Sequence, residues 1–295
     1  MSAQLTARRS RRAWSWLGLA PFFGYLSVFF LLPTAVIGYS AFRVGGPDEA
    51  ESFGVANIVA ALQGPYLDGL RNTALIALVC AVLAAVLGMA LAYAVATSRH
   101  SVLRRLVSTS SAVLANFGGL PLAFLFVAAI GNAGVVTTFV QGQWGVSLSE
   151  DLHLNLYTRS GVQFVYLYFL IPLMVLVITP AIEGLRPEWR EAAEGLGSRG
   201  WQYWRYVAGP ALAPHFLASI ALLFCTAFSS YATAEALTNG TLAITPLQID
   251  AAVSGNVLVG QENIGAALAL TMIAVVVPLT VLYQYMLKRR STWLQ

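Results

Sequence analysis

Residues 191–210 read EAAEGLGSRGWQYWRYVAGP and lie in a polar stretch between two long apolar segments. The residue types suit docking, not bond making. Glu191 offers a carboxylate acceptor to a partner's Arg or backbone N–H. Ala192 and Ala193 leave one helix face thin enough to enter a groove. Pro187 fits a first helical turn, where its missing N–H costs nothing. Glu188 and Glu191 then sit near the positive end of the helix dipole, and Arg190 and Glu194 are i,i+4 partners. Gly195 and Gly197 are expected to end the helix, glycine being suited to a left-handed cap. Ser198 is expected to cap a second helix carrying Trp201, Tyr203, Trp204 and Tyr206 along a membrane interface, where aromatic rings sit well. Pro210 then opens the next apolar segment. The competing reading is an ordinary solvated amphipathic loop.

Other chemistry is poorly provided for. The single lysine, Lys288, follows no glycine-rich approach, so no G-x-x-x-x-G-K-[ST] phosphate loop exists. Whatever energises this protein must be bound by another chain. His100, His153 and His215 are scattered without metal-ligand spacing, so no metal or other cofactor is expected on this chain. Cys80 and Cys225 fall inside apolar segments and read as buried free thiols. A membrane-embedded enzyme would need clustered His, Asp or Glu, which the sequence lacks.

The elements that must carry the loop follow from composition. Hydrophobic residues make up 58% and charged residues 10%, with mean hydropathy +0.70. A soluble domain averages about 25% charged. Six apolar stretches are long enough to span a bilayer, near Trp16–Phe42, Thr73–Thr97, Val107–Ile130, Val162–Glu183, Ala211–Leu237 and Ile264–Leu287. Pro33, Gly118, Gly119, Pro121, Pro172 and Pro278 do not veto helices there, because neighbouring helices can satisfy the freed backbone groups. The fold class expected is an all-α membrane protein of six spans, with a tail at 1–15, the spanning domain at 16–295 and the polar loop at about 184–210.

The 17 Lys and Arg are placed asymmetrically. Arg8, Arg9, Arg11 and Arg12 mark the N-tail; Arg99, Arg104 and Arg105 the second loop; Arg186, Arg190, Arg199 and Arg205 the fourth; Lys288, Arg289 and Arg290 the C-tail. Only Arg43, Arg71 and Arg159 fall on the opposite side. The positive-inside bias puts both termini and the 184–210 loop in the cytoplasm. The +4 net charge is therefore membrane anchoring and not a nucleic-acid signal. The first apolar run is too long for a signal h-region and has no A-x-A site, so the first helix is expected to be retained. The outer loops carry Asp48, Glu49, Glu51, Asp68, Glu150, Asp151, Asp250 and Glu262, with short helices expected at Asn57–Leu62 and Pro246–Val253.

Polar residues inside spans are costly and usually face a cavity or another helix. The candidates for a substrate path are Asn116, Tyr166, Tyr168, Ser229, Ser230, Tyr231, Thr233 and Glu235. A tyrosine there also serves as core or belt, and Ser and Thr often bond back to their own helix. Asn116 and Glu235 are harder to explain that way. Glu235 has the alternatives of capping a helix or pairing with Arg71 or Arg159.

Glu191-Ala192-Ala193-x-x-x-Gly197, the aromatic stretch after it and Gly209-Pro210 resemble the EAA loop of bacterial ABC importer permease subunits. The resemblance runs from about Asn72 to the C-terminus and includes the place of the loop between the fourth and fifth spans. It implies the type I importer permease (MetI-like) fold in the bacterial inner membrane. It implies that Glu191, Ala192, Ala193, Gly197 and Ser198 couple to ABC ATPase subunits, which bind the ATP and Mg. A second permease subunit, copy or paralogue, and an extracytoplasmic substrate-binding protein are the other partners implied. Ser198 stands where the family usually has alanine, and Ala208-Gly209 replaces the usual hydrophobic residue before the proline. Leu196-Gly197-Ser198 and the run Phe228–Gly240 are more similar to spermidine/putrescine-type permeases than to sugar or glycerophosphodiester permeases of the same machinery. An ion-coupled secondary transporter would want buried charges near the midplane, and these spans are nearly free of charge.

Overall fold

The computed structural model describes residues 19–44, 52–98, 100–147, 149, 155–254 and 262–291, the side chains of 287–291 excepted. The tail at 1–15, Arg99, Asp48, Glu49, Glu51, Glu150, Asp151 and His153 lie outside the described residues, as do the side chains of Lys288, Arg289 and Arg290. Six helical stretches are long and apolar enough to cross a membrane. The chain divides into two compact units.

One unit comprises residues up to 63 together with 249–271. Its helix α1, Leu19–Ala41, contains a π turn at Ser27–Leu31 just before Pro33. Its apolar side chains, Phe22, Phe29 and Phe30 among them, are exposed, as a lipid-facing span requires. A two-stranded hairpin follows, β1 Arg43–Val44 and β2 Ser52–Phe53, with Arg43 opposite Phe53. Helix α2, Ala56–Ala61, is the short helix expected near Asn57–Leu62. Asn57 Nδ2 donates to the Arg43 carbonyl at 2.7 Å and fixes α2 to β1.

The other unit, residues 64–248 and 272–295, holds the main core. Helix α3, Gly64–Ala96, buries a file of small residues: Gly69, Thr73, Ala77, Ala81, Ala84, Ala85, Gly88 and Ala92. In lipid, helices associate through close packing, and small residues allow that approach. The file meets α7, Arg159–Glu183, in the most extensive helix contact among the described residues. A β-carbon at Gly88 would stand 2.6 Å from Met174 Cβ and 2.9 Å from the Ile171 carbonyl. Pro172 is accommodated within α7, as expected, and so is Pro180.

The third apolar stretch is not one helix. It forms α4, Ser101–Asn116, and α5, Leu120–Ile130, separated at Phe117–Gly119. The expectation that Gly118 and Gly119 pass unnoticed within a helix is corrected. Gly119 adopts φ 74°, ψ −149°, a region that is essentially glycine-only. Pro121 then starts α5 without needing a donor. The 11 residues of α5 rise only roughly 16 Å, about half the hydrocarbon thickness. The third stretch long and apolar enough to cross is Leu120–Trp144, α5 together with the helix that follows it, so the expected span Val107–Ile130 is corrected, and α4 instead packs along α7. Arg104 anchors its start by donating to the Ala96 carbonyl at the end of α3, at 3.0 Å. Helix α6, Val135–Trp144, follows α5 and ends at left-handed Gly145.

The polar loop forms α8, Pro187–Gly195, and α9, Gly200–Tyr203. The fifth stretch is also broken. Helix α10, Gly209–Phe228, stops at Ser229, and α11, Ala232–Thr238, resumes after Tyr231. The last elements are α12, Thr245–Val253, the short helix expected near Pro246–Val253, and α13, Glu262–Ser291. Asn72 joins three segments of the core. Its Nδ2 donates to the Ala243 carbonyl at 3.0 Å, and its Oδ1 accepts from Arg159 at 2.6 Å.

Candidate functional site

The loop between α7 and α10 is built on its termination signals. Pro187 occupies the first turn of α8, with Glu188 beside it. Arg190 Nε donates to Glu194 Oε1 at 2.9 Å, the expected i,i+4 pair. That hydrogen bond raises the Arg190 guanidinium pKa above its ordinary value. The end of α8 is a Schellman motif: the Gly197 N–H donates to the Glu194 carbonyl at 2.9 Å and the Ser198 N–H to the Ala193 carbonyl at 3.0 Å. Gly197 sits at φ 75° with nothing within 4 Å of where a β-carbon would lie. Conformation, not space, is what demands glycine there.

No residue of α8 is buried. Glu191 and Ala192 are exposed and Ala193 is half-buried. Leu196, at the cap, is 89% exposed. An open pocket of about 380 Å³ lies at the start of the loop, lined by Glu183, Gly184, Leu185, Arg186, Pro187, Glu188 and Trp189.

Ser198 is not the cap of the second helix. Arg199 holds that position, and its N–H donates to Gln202 Oε1 at 2.7 Å. Ser198 is consumed by the turn of α8 through its N–H, and its Oγ is buried without a hydrogen-bond partner. Past α9 a π turn, Trp204–Ala208, leads into Pro210. The Trp204 ring packs edge-on against Tyr93 of α3 at 4.8 Å, while Trp201 and Tyr206 remain exposed. The loop is thus tied to the core at Trp204 and presents α8 outward.

The second set of candidates lies around the two helix breaks, which the structure brings together. Thr233 Oγ1 accepts from the Gly119 N–H at 3.0 Å and donates to the Gly119 carbonyl at 3.3 Å. Tyr166, buried in α7, donates its hydroxyl to the Ser230 carbonyl at 2.7 Å. All three bonds satisfy backbone groups freed by the breaks. Asn116 is exposed beside the first break and donates to the Ala112 carbonyl at 2.9 Å. Ser229 is exposed and donates to the Cys225 carbonyl at 2.8 Å. Ser230 is half-buried and Tyr231 exposed. Tyr168 packs against Phe126 of α5.

Glu235 lies in the first turn of α11, half-buried. Among the described residues it makes no ion pair, and Arg159 is engaged with Asn72 instead. Sequence reasoning missed Gly119 as the partner of Thr233. The signal was present in Gly118-Gly119-x-Pro121, a breaker cluster.

The family model described as binding-protein-dependent transport system inner membrane component matches residues 84–292. The chain belongs to this family. The permease is 30% identical over 165 residues to the sulfate transport system permease protein CysT of Escherichia coli strain K12, a match covering 55% of each chain. It is 29% identical over 116 residues to the thiamine transport system permease protein ThiP of Salmonella typhimurium, covering 38% of this chain and 22% of that one. It is 25% identical over 290 residues to the probable starch degradation products transport system permease protein AmyD of Thermoanaerobacterium thermosulfurigenes, covering 94% and 95%. The permease therefore spans about a fifth of the thiamine relative's length and about half of the sulfate relative's. A crystal structure of a bacterial ABC transporter involved in the import of the acidic polysaccharide alginate superposes with a TM-score of 0.72, over 97% of this chain and 99% of that chain, at 14% identity. At that identity the likeness establishes the fold. The protein is a multi-pass inner-membrane permease component of an ABC importer.

Proposed function

We propose that this permease forms half of the pathway of an ATP-driven importer for a small solute delivered by an extracytoplasmic binding protein. Glu191, Ala192, Ala193, Gly197 and Ser198 form the element that docks on an ATPase subunit, with ATP and Mg held by that subunit. A second permease, copy or paralogue, supplies the other half. The carrying observation is the Schellman turn at Gly197, which holds α8 exposed while Trp204 ties the loop to α3. Closure of the ATPase pair would push α8, and through Trp204 the core, between inward and outward access. Loaded binding protein would favour one of those states.

Topology tests this reading. A reporter at Ser198 is expected to be cytoplasmic and one at Ser149 outside, consistent with both termini being cytoplasmic. An outside signal at Ser198 would overturn the proposal, since the loop would then be cut off from any cytoplasmic ATPase.

For the substrate we propose the polyamine type. It is supported by the Leu196-Gly197-Ser198 form of the loop and by Glu235, near the outer end of the expected fifth span, which makes no ion pair among the described residues. The relatives named for sulfate, thiamine and starch degradation products add no support to it. A carboxylate in a low-dielectric cavity attracts a cation more strongly than it does in water. Glu235→Gln is expected to lower uptake of a polyamine several-fold while assembly and ATPase coupling stay intact. Unchanged uptake kinetics across substrate concentrations would remove Glu235 from the path.

A further inference from the structure

Arg205 is the only Lys, Arg, Asp or Glu in the apolar stretch Gly200–Phe228, which runs for 29 residues. The 20 residues of α10 by themselves rise about 30 Å, the thickness of the hydrocarbon core. Residues 200–208 therefore extend past the hydrocarbon at the loop end. Arg205, four residues before Gly209, falls about 6 Å outside it, within the headgroup layer. Tyr206 lies slightly deeper and Trp201 one turn farther out.

Residues 201–208 divide by exposure into two faces. Tyr203, Trp204, Val207 and Ala208 are buried or half-buried, and Trp201, Gln202, Arg205 and Tyr206 are exposed. Trp201 and Arg205 stand four apart, as do Gln202 and Tyr206, so the exposed four share one side of the helix. The opposite side is held to the core by Trp204 against Tyr93. The exposed side carries two large rings, Trp201 at 72% and Tyr206 at 71% exposure. Rings of this kind are at home between hydrocarbon and water.

Arg205 decides which lipid suits this side. Its guanidinium carbon lies 5.9 Å from the centre of the Tyr206 ring, within reach of a cation–π contact. Among the described residues it makes no ion pair. No Asp or Glu occurs from Gly195 to Ala234, so the segment brings no carboxylate of its own to that depth. A guanidinium fork matches a phosphate with two parallel N–H donors. A zwitterionic headgroup sets its own cation beside its phosphate, whereas an anionic one leaves the negative charge uncompensated.

We infer that Trp201, Arg205 and Tyr206 form a binding surface for the headgroup of an anionic phospholipid in the leaflet on the loop's side. Arg205 takes the phosphate, and the two rings fill the headgroup layer on either side of it. Held by lipid on one face and by Tyr93 on the other, residues 201–208 become the fixed root from which α8 projects. The surface does not depend on the importer reading and goes beyond it.

The test uses the full-length permease in vesicles of phosphatidylcholine mixed with phosphatidylglycerol. One of the two lipids at a time carries bromine near the carbonyl end of its acyl chains, where it quenches a neighbouring indole. Tyr206→Trp keeps a ring beneath Arg205, and its added fluorescence over the parent is the signal. At low salt, quenching per mole of brominated lipid is expected to be about fivefold greater for phosphatidylglycerol than for phosphatidylcholine. Added salt should reduce that ratio. Arg205→Gln in the same background should bring it to one, and Arg205→Lys, which keeps the charge but not the fork, should retain part of it. Inorganic phosphate at matched ionic strength should leave it unchanged. Equal quenching by the two lipids, a preference that survives Arg205→Gln, or no quenching by either lipid would overturn the lipid surface. Loss of the preference to inorganic phosphate would overturn it in favour of a soluble anion. Neither uptake nor an ATPase enters the measurement, so its failure leaves the importer reading standing, and a chain without ATP-driven uptake can still show the preference.

Discussion

Gly197→Val is expected to abolish ATP-driven uptake while membrane insertion and protein level stay near those of the parent. The position has φ 75° and open space around it. The penalty is therefore purely conformational, and it grows with the bulk and branching of the side chain at Cβ. A left-handed conformation costs an ordinary L-residue roughly 1–2 kcal/mol, and a β-branched residue is a genuine outlier there. Such a penalty corresponds to roughly a 5- to 30-fold loss of the correctly turned loop. Asparagine, which tolerates this conformation, should retain most activity, alanine an intermediate level and valine little. The spans contain none of the affected bonds, since Gly197 and Ser198 donate only within α8. Uptake and ATPase association, each normalised to the amount of permease in the membrane, read the series. Full uptake by the valine variant would show that the Schellman turn does not matter for coupling. A uniform loss across asparagine, alanine and valine would point to contact with the glycine surface and not to its φ.

Much of this architecture was legible because lipid imposes strong rules. Long apolar runs and the proline-tolerant α7 follow from them directly. The loop was legible from punctuation: Pro187, the Arg190–Glu194 pair and Gly197 each act within one turn of chain. Ser198 was misplaced because two local rules compete for one residue. Its N–H completes the preceding turn, and the cap then falls on Arg199 with Gln202. The breaks at Phe117–Gly119 and Ser229–Tyr231 were missed for a different reason. Hydropathy is continuous across them, and what stabilises them is tertiary: Thr233 on Gly119 and Tyr166 on Ser230, separated by 114 and 64 positions. No local pattern reports such pairings. Thr233 and Tyr166 stood out only as polar groups in apolar runs, which marks them as costly without saying what they bind.

The file of small residues on α3 leads to a second large effect, on assembly. Gly88→Val is expected to lower the amount of permease in the membrane several-fold and to reduce its thermal midpoint in detergent. A β-carbon there would lie 2.6 Å from Met174 Cβ, 2.7 Å from Met174 Cγ and 2.9 Å from the Ile171 carbonyl. The methionine Cγ can swing away, but Met174 Cβ and the carbonyl move only if α7 moves. Overpacking of this kind costs roughly 1–3 kcal/mol where one side chain yields, and more where two helices must part along their main contact. Met174→Ala is therefore expected to rescue Gly88→Ala only in part, because it removes Cγ and leaves both Cβ and the Ile171 carbonyl in place. Gly142→Ala in α6, where an added β-carbon meets nothing within 4 Å, should leave level and midpoint unchanged. The consequence reaches function through α7, which also carries Tyr166 to the break at Ser230. A shift of α7 that separates it from α3 loosens that bond as well, so any Gly88→Val protein that does accumulate should transport poorly even with α8 intact. Parent-like levels and midpoint for Gly88→Val would mean that α3 and α7 do not pack this closely in the membrane.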